Sequence, residues 1–217
     1  MKSAYKLLGI LGGTFDPVHC GHLHIAESCD KAFHFDQVLF IPNKTPPHRV
    51  QPIASANDRL NMVKIAIANH SNFVVNTIEI NQNGPSYAIQ TLRKLYKDYS
   101  EQALCFILGT DAFASFNLWH GHEEILNYCH LIIVNRPDFQ FDNDVWLQDL
   151  LNKHLTDRLA DLQHKRQGYI YLQLITPTPT SATETRARLA TGLRQHIDLP
   201  EAVKKYIEEN GLYKIGV

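Results

Sequence analysis

At 217 residues, 44% hydrophobic and 20% charged, the chain has the size and balance of one globular unit with a sizeable core. Its formal net charge of -1 offers nothing to attract a nucleic acid or an anionic membrane surface, and no apolar run approaches the roughly 20 residues of a membrane span. The N-terminal MKSAYKLLGILGG lacks a small-residue cleavage site, and the four cysteines, Cys20, Cys29, Cys105 and Cys129, show no C-x-x-C spacing. Both features point to a cytoplasmic protein with reduced thiols.

Strand patterns alternate with helix patterns along most of the chain. Residues 6–11 form an apolar run that ends in glycine, 23–33 predict a helix, and 37–41 predict a second strand stopped by Pro42. Pro46, Pro47 and Pro52 make 43–53 a loop. Leu60, Met62, Val63, Ile65, Ala66 and Ile67 predict a buried helix over 57–69, capped by Ser55 or Asn57. A third strand region is expected over 73–75 and 77–80, then a Gly-Pro turn over 81–86, a helix over 87–99 and a fourth strand over 103–108. A short helix over 123–128 precedes a fifth strand, 131–135, stopped by Arg136-Pro137, and the polar stretch 138–145 reads as a connection. Residues 146–162 predict one helix with mixed faces and 169–175 a sixth strand. A helix over 183–191 stops at Gly192, and Pro200 starts a last helix that ends near Gly211.

Apolar strands separated by helices predict an α/β fold, a doubly wound parallel sheet with helices on both faces. In such sheets ligands bind beyond the carboxyl ends of the strands, where the strand order reverses. The loops at 12–22, 43–49, 109–119 and 176–186 all leave strand ends, so they are expected to share one crevice.

The chemistry concentrates in the first of these loops, Gly12-Gly13-Thr14-Phe15-Asp16-Pro17-Val18-His19-Cys20-Gly21-His22. A strand that passes through glycines onto a helix start suits a phosphate, because the backbone can approach closely and the N–H groups of the first turn point outward. His19 and His22 are three apart and share one face of a helical turn. A zinc site built on His19, Cys20, His22 and His24 is disfavoured, since ligands so tightly spaced cannot all face one ion. The loop is neither a Walker A sequence nor G-x-G-x-x-G. At the other end of the chain, Ser181-Ala182-Thr183-Glu184-Thr185-Arg186 combines capping-box spacing, Ser181 to Glu184, with Arg186 near a helix start. A cation there is disfavoured by the helix dipole unless an anion joins it. Arg188 suits a plain surface role better.

The run from Gly12 to His22 resembles the signature of the nucleotidyltransferases that carry an H-x-G-H motif. Within that superfamily the chain is most similar to the bacterial nicotinate-mononucleotide adenylyltransferase family. The resemblance implies a Rossmann-like single domain over 1–217, with a C-terminal helical part, 181–217, that carries the second phosphate motif. It implies an enzyme that joins ATP and nicotinate mononucleotide into the deamido dinucleotide with release of pyrophosphate, a step of NAD biosynthesis, with Mg2+ held mainly by the ATP phosphates. His19, His22 and Arg186 are then the catalytic residues. Gly12, Gly13, Thr14, Phe15, Gly109, Asp111, Ser181 and Thr183 are then on the ATP side. Lys44, Arg49, Tyr87, Ala88, Trp119 and His120 fall on the acceptor side.

The second motif, usually I-S-S-T-x-I-R, departs at Ala182 and Thr185. In the Ser-Tyr-Thr segment that follows Pro85, Ala88 replaces threonine and removes one hydroxyl from the expected carboxylate pocket. An enzyme that prefers nicotinamide mononucleotide therefore stays open, as does a non-catalytic nucleotide-sensing module. Transferases for pantetheine phosphate or glycerol phosphate fit Tyr87 and the Trp119-His120 pair less well, because an aromatic platform suits a pyridine ring. The expected partners are these small molecules alone, with no nucleic acid and no membrane, in a monomer or homodimer.

Overall fold

The first strand, β1 (Lys6–Gly13), buries every residue from Leu7 to Leu11. Side chains alternate between the two faces of a strand, so an unbroken apolar run requires cover on both sides. That cover is present. Leu7 and Leu11 join one apolar cluster with side chains of α1 (Cys20–Phe33), α2 (Ala56–Ala66), α7 (Leu159–His164) and α9 (Glu201–Glu209). Leu8 and Ile10 join another with α3 (Ala88–Asp98), α4 (Thr110–Ala114), α5 (His122–Ile125) and α6 (Val145–His154).

The computed structural model describes residues 4–45, 51–135, 145–176, 180–191 and 197–214. Among them, β1, β2 (Gln37–Pro42), β3 (Phe73–Val75), β4 (Gln102–Gly109), β5 (His130–Asn135), β6 (Leu155–Thr156) and β7 (Ile170–Leu174) form one sheet. Its order is β3-β2-β1-β4-β5-β7-β6 and every pairing is parallel. The chain leaves β1 toward one edge and returns beside it as β4 to build toward the other, so the order reverses between these two strands. Ile10 pairs with Phe106, and each strand ends three residues later, at Gly13 and Gly109. The expected doubly wound α/β fold is the one observed.

Two expectations for individual elements fail. Residues 77–80 are loop and turn and not strand, because Asn76 Oδ1 accepts the Ile78 N–H at 2.9 Å and the Asn81 N–H returns to the Thr77 carbonyl at 3.0 Å. Such an Asx turn competes directly with ladder pairing. The single helix predicted over 146–162 is two helices, α6 and α7, separated by β6, whose Leu155 and Thr156 pair with Ile170 and Tyr171. The Thr156 hydroxyl receives the Arg158 N–H and donates to Asp161, which turns the chain into α7. Gly192 and residues 138–144 lie outside the described residues.

Candidate active site

The loop from Thr14 to His19 connects β1 to α1 at the point where the strand order reverses. Phe15 adopts φ +50° and is buried, its ring 6.0 Å from that of Phe40 and 5.0 Å edge-on from that of His22. His19 occupies the N-cap of α1. Its N–H donates to His22 Nδ1 at 3.2 Å, and the two rings lie 3.7 Å apart. With Nδ1 of His22 used as an acceptor, the proton of its neutral ring sits on Nε2, a donor aimed away from the backbone. His19 is 7% exposed, and its Nδ1 is buried without a partner among the described residues.

Burial pushes the His19 imidazole down to about 4, against a smaller upward pull from Asp198. Burial, and then the neighbouring His19, holds His22 well below the ordinary histidine range. Near neutral pH the pair is thus two uncharged donors beside the first turn of a 14-residue helix. Cys20 between them is inert, its thiol raised to about 11 by burial and by Asp198. Among the described residues no group of three or more His, Cys, Asp or Glu is placed to hold a metal ion.

The second motif caps α8 (Ala182–Ala190). Ser181 accepts the Glu184 N–H at 3.1 Å, which completes half of a capping box. The Glu184 carboxylate pairs instead with Arg188 at 2.8 Å, the surface role expected of Arg188. Arg186 points elsewhere. Its Nη1 donates to the Asp16 carbonyl at 2.8 Å and its Nη2 approaches Thr183 Oγ1 at 3.3 Å. The two motifs, 170 positions apart in sequence, are therefore joined by a direct hydrogen bond.

At the other strand ends, Asp111 is exposed in the first turn of α4. A Cβ on Gly109 would meet nothing within 4 Å, and one on Gly12 would meet only Phe106 at an ordinary 3.6 Å. The fold itself thus has little need of glycine at either position, and both leave open backbone at adjacent strand ends. Trp119 is half-buried against Phe106 and Phe116, with ring centroids at 6.2 and 5.6 Å. Tyr87, at the N-cap of α3 next to Ala88, lies 4.5 Å from the ring of His120. The Lys44 ammonium donates to the Gln82 carbonyl at 3.0 Å and thereby ties the loop after β2 to the segment before Tyr87. Arg49 lies outside the described residues.

Three further groups, Asp16, Tyr213 and Arg59, are buried at the loop and stand outside the site residues implied by the sequence. Asp16, 5% exposed, accepts the Ile53 N–H at 2.9 Å, the Ala54 N–H at 3.1 Å and the Tyr213 hydroxyl at 2.6 Å. Burial, reinforced by Asp16, keeps the Tyr213 phenol protonated as a donor. Arg59, 1% exposed, spends its guanidinium on the carbonyls of Thr14, Asn43, Lys44 and Ala54. A sequence signal for it existed, since Arg59 shares the buried stripe of α2 with Met62, Val63 and Ala66.

A parallel sheet with a glycine loop, a histidine pair and an arginine-bearing helix start at its switch point defines a nucleotidyl-transferring class of protein. The Cytidylyltransferase-like family model matches residues 10–188. A Coxiella burnetii protein named "Probable nicotinate-nucleotide adenylyltransferase" is 46% identical over 213 residues, covering 97% of this chain and 99% of that one. The Aeromonas hydrophila counterpart is 41% identical over 207 residues, covering 95% and 97%. The chain belongs to the nicotinate-nucleotide adenylyltransferase family. The fold is also that of the Plasmodium falciparum nicotinic acid mononucleotide adenylyltransferase complexed with NaAD, with TM-score 0.71 at 17% identity over 96% of this chain and 98% of that one.

Proposed function

We propose that the chain, working as one unit over 1–217, transfers the adenylyl group of ATP to nicotinate mononucleotide and yields the deamido dinucleotide and pyrophosphate. The observation that carries this reading is the hydrogen bond from Arg186 to the Asp16 carbonyl, which brings the two expected phosphate motifs into direct contact.

An oxygen of the acceptor's 5′-phosphate forms a bond to the α-phosphorus, and the bond from that phosphorus to the pyrophosphate oxygen breaks. The acceptor arrives ionised, so no side-chain base is needed, and catalysis is positioning plus stabilisation of charge on the phosphates. His22 offers Nε2–H, His19 lies against it at the start of α1, and Arg186 brings a permanent cation fixed on two sides by Asp16 and Thr183. Gly12, Gly13, Thr14, Phe15 and Gly109, with Asp111, Ser181 and Thr183, form the ATP side, with the backbone open at Gly12 and Gly109. Tyr87, Ala88, Trp119 and His120, with Lys44 and Arg49, form the acceptor side. A Mg2+ ion would rest on phosphate oxygens and water, because the Asp16 carboxylate is already taken by three protein donors. When bound, it neutralises charge on the departing pyrophosphate. The same reading places the enzyme in the cytoplasm, as a monomer or homodimer.

The test is pyrophosphate release from ATP with nicotinate mononucleotide, nicotinamide mononucleotide or phosphopantetheine, each offered alone. The expected result is release with the nicotinate compound at a kcat/KM well above the others. Preference for nicotinamide mononucleotide overturns the acceptor assignment, and ATP binding without release under all three conditions favours the sensing module.

A further inference from the structure

We infer that Arg59 is the positioning residue of this site, setting the outward direction of the Phe15 N–H and locking the loop after β2 to the loop after β1. The inference rests on the adenylyl-transfer reading above and concerns a residue that touches neither substrate.

Arg59 Nη1 donates to the carbonyls of Thr14 at 2.6 Å and Asn43 at 2.7 Å, Nη2 to that of Lys44 at 3.1 Å, and Nε to that of Ala54 at 3.3 Å. A guanidinium placed at 1% exposure with carbonyls as its acceptors is an expensive way to fill a core. A leucine would fill the space at lower cost. It could not hold three backbone segments in one orientation, which the planar fork does. The consequence for the crevice follows from peptide geometry. In a trans peptide the C=O and the next N–H point in opposite directions. With the Thr14 carbonyl drawn inward to Arg59, the Phe15 N–H is turned outward, away from the core. Phe15 sits at φ +50°, a region that residues other than glycine rarely occupy, and its N–H has no acceptor among the described residues.

The same fork draws in Asn43 and Lys44. Asn43 also donates its N–H to the Gly13 carbonyl at 3.0 Å and its Nδ2 to Thr14 Oγ1 at 3.2 Å. Lys44 passes the constraint on to the acceptor side through Ser86 Oγ at 3.2 Å. One buried cation thereby sets the spacing between the two halves of the crevice.

Arg166 supplies an internal control. Its guanidinium also donates to carbonyls, those of Gln102, Tyr96 and Tyr99 at 3.2, 2.9 and 3.2 Å, but at the opposite end of the sheet, where β4 begins. The experiment compares wild type, Arg59→Lys, Arg166→Lys and Asn43→Ala by thermal midpoint, by the Kd for ATP and by the KM for each substrate. Expected for Arg59→Lys is a fall in kcat/KM of about a hundredfold, with both KM values raised. Arg166→Lys loses comparable stability and stays within about twofold of wild type in both KM values. Asn43→Ala loosens the same junction without disturbing the buried charge, so it keeps the question open to test if Arg59→Lys does not fold, and it raises both KM values about fivefold. Unchanged KM values in folded Arg59→Lys, or in Asn43→Ala, overturn the inference. So does a parallel loss of activity in the Arg59 and Arg166 variants. A wild type that binds ATP but releases no pyrophosphate refutes the functional reading alone, and the Kd of Arg59→Lys for ATP then decides the inference. A wild type that does not bind ATP refutes both.

Discussion

Asp16→Asn is the sharpest probe of how the nucleotide loop is held. The carboxylate takes the Ile53 N–H on one oxygen, and the Ala54 N–H and the Tyr213 hydroxyl on the other. In the amide, an NH2 group replaces one of these oxygens and must face a donor. In one rotamer the buried Ala54 N–H is left unpaired and in the other the part-buried Ile53 N–H is, and the surviving bonds change from charged to neutral acceptors. An unsatisfied buried donor costs about 1–3 kcal/mol, and a charge-assisted bond is worth about 1.5–3 kcal/mol against roughly 1 kcal/mol for a neutral one. The combined loss is about 2–4 kcal/mol, which in a chain of this length lowers the thermal midpoint by about 4–16 °C. Tyr213→Phe removes one bond and leaves both backbone N–H groups satisfied, so it costs less, about 1–2 kcal/mol. Calorimetry and urea titration of both variants provide the measurement. A midpoint for Asp16→Asn within about 1 °C of wild type, or a larger loss in Tyr213→Phe, refutes the claim that Asp16 seats the loop.

The histidine pair makes two further predictions. His22→Ala is expected to lower kcat at least about a hundredfold while costing about 1–3 kcal/mol from the unpaired His19 N–H, and wild-type-like turnover removes His22 from the mechanism. The second concerns acid. His19 and His130 are both depressed to about 4, chiefly by burial. The unfolded chain therefore takes up protons first as pH falls below about 6.5, and stability declines down to about pH 4 and then levels for these groups. Urea midpoints that stay flat between pH 7 and pH 5 contradict this. Trp119→Ala, which removes a ring packed on Phe106 and Phe116, should raise the KM for the mononucleotide several-fold more than the KM for ATP, and equal rises would place the ring outside the acceptor pocket.

The strands and most helices were readable because burial on both faces leaves a mark that requires no knowledge of neighbours, as in 7–11 and 103–108. The failures share a different cause. At 77–80 the residues have strand propensity, but the Asn76 side chain satisfies the backbone locally and bends it. At 155–156 two residues that continue a helical pattern are recruited by the free edge of β7, a tertiary demand invisible in a window of local sequence. The site divides along the same line. His19, His22 and Arg186 stand in short motifs that are legible in the sequence from their spacing alone.

Asp16 acts through partners 37 to 197 positions away, Ile53, Ala54 and Tyr213, and Arg59 through partners 5 to 45 positions away. Nothing in the tyrosine near the C-terminus or in the arginine of α2 marks it as part of a phosphate site until the fold brings it there. The loop from Thr14 to His19 is short and is buried from Phe15 onward, with Phe15 and Val18 in the core, but that apolar packing does not by itself orient the backbone polar groups of the loop. Its shape must be imposed from behind by groups with fixed geometry and no freedom to relax, and a buried carboxylate and a buried guanidinium meet that requirement better than apolar packing, which has no direction. The rigidity demanded of the visible motif is thus the physical reason that its hidden supports are charged.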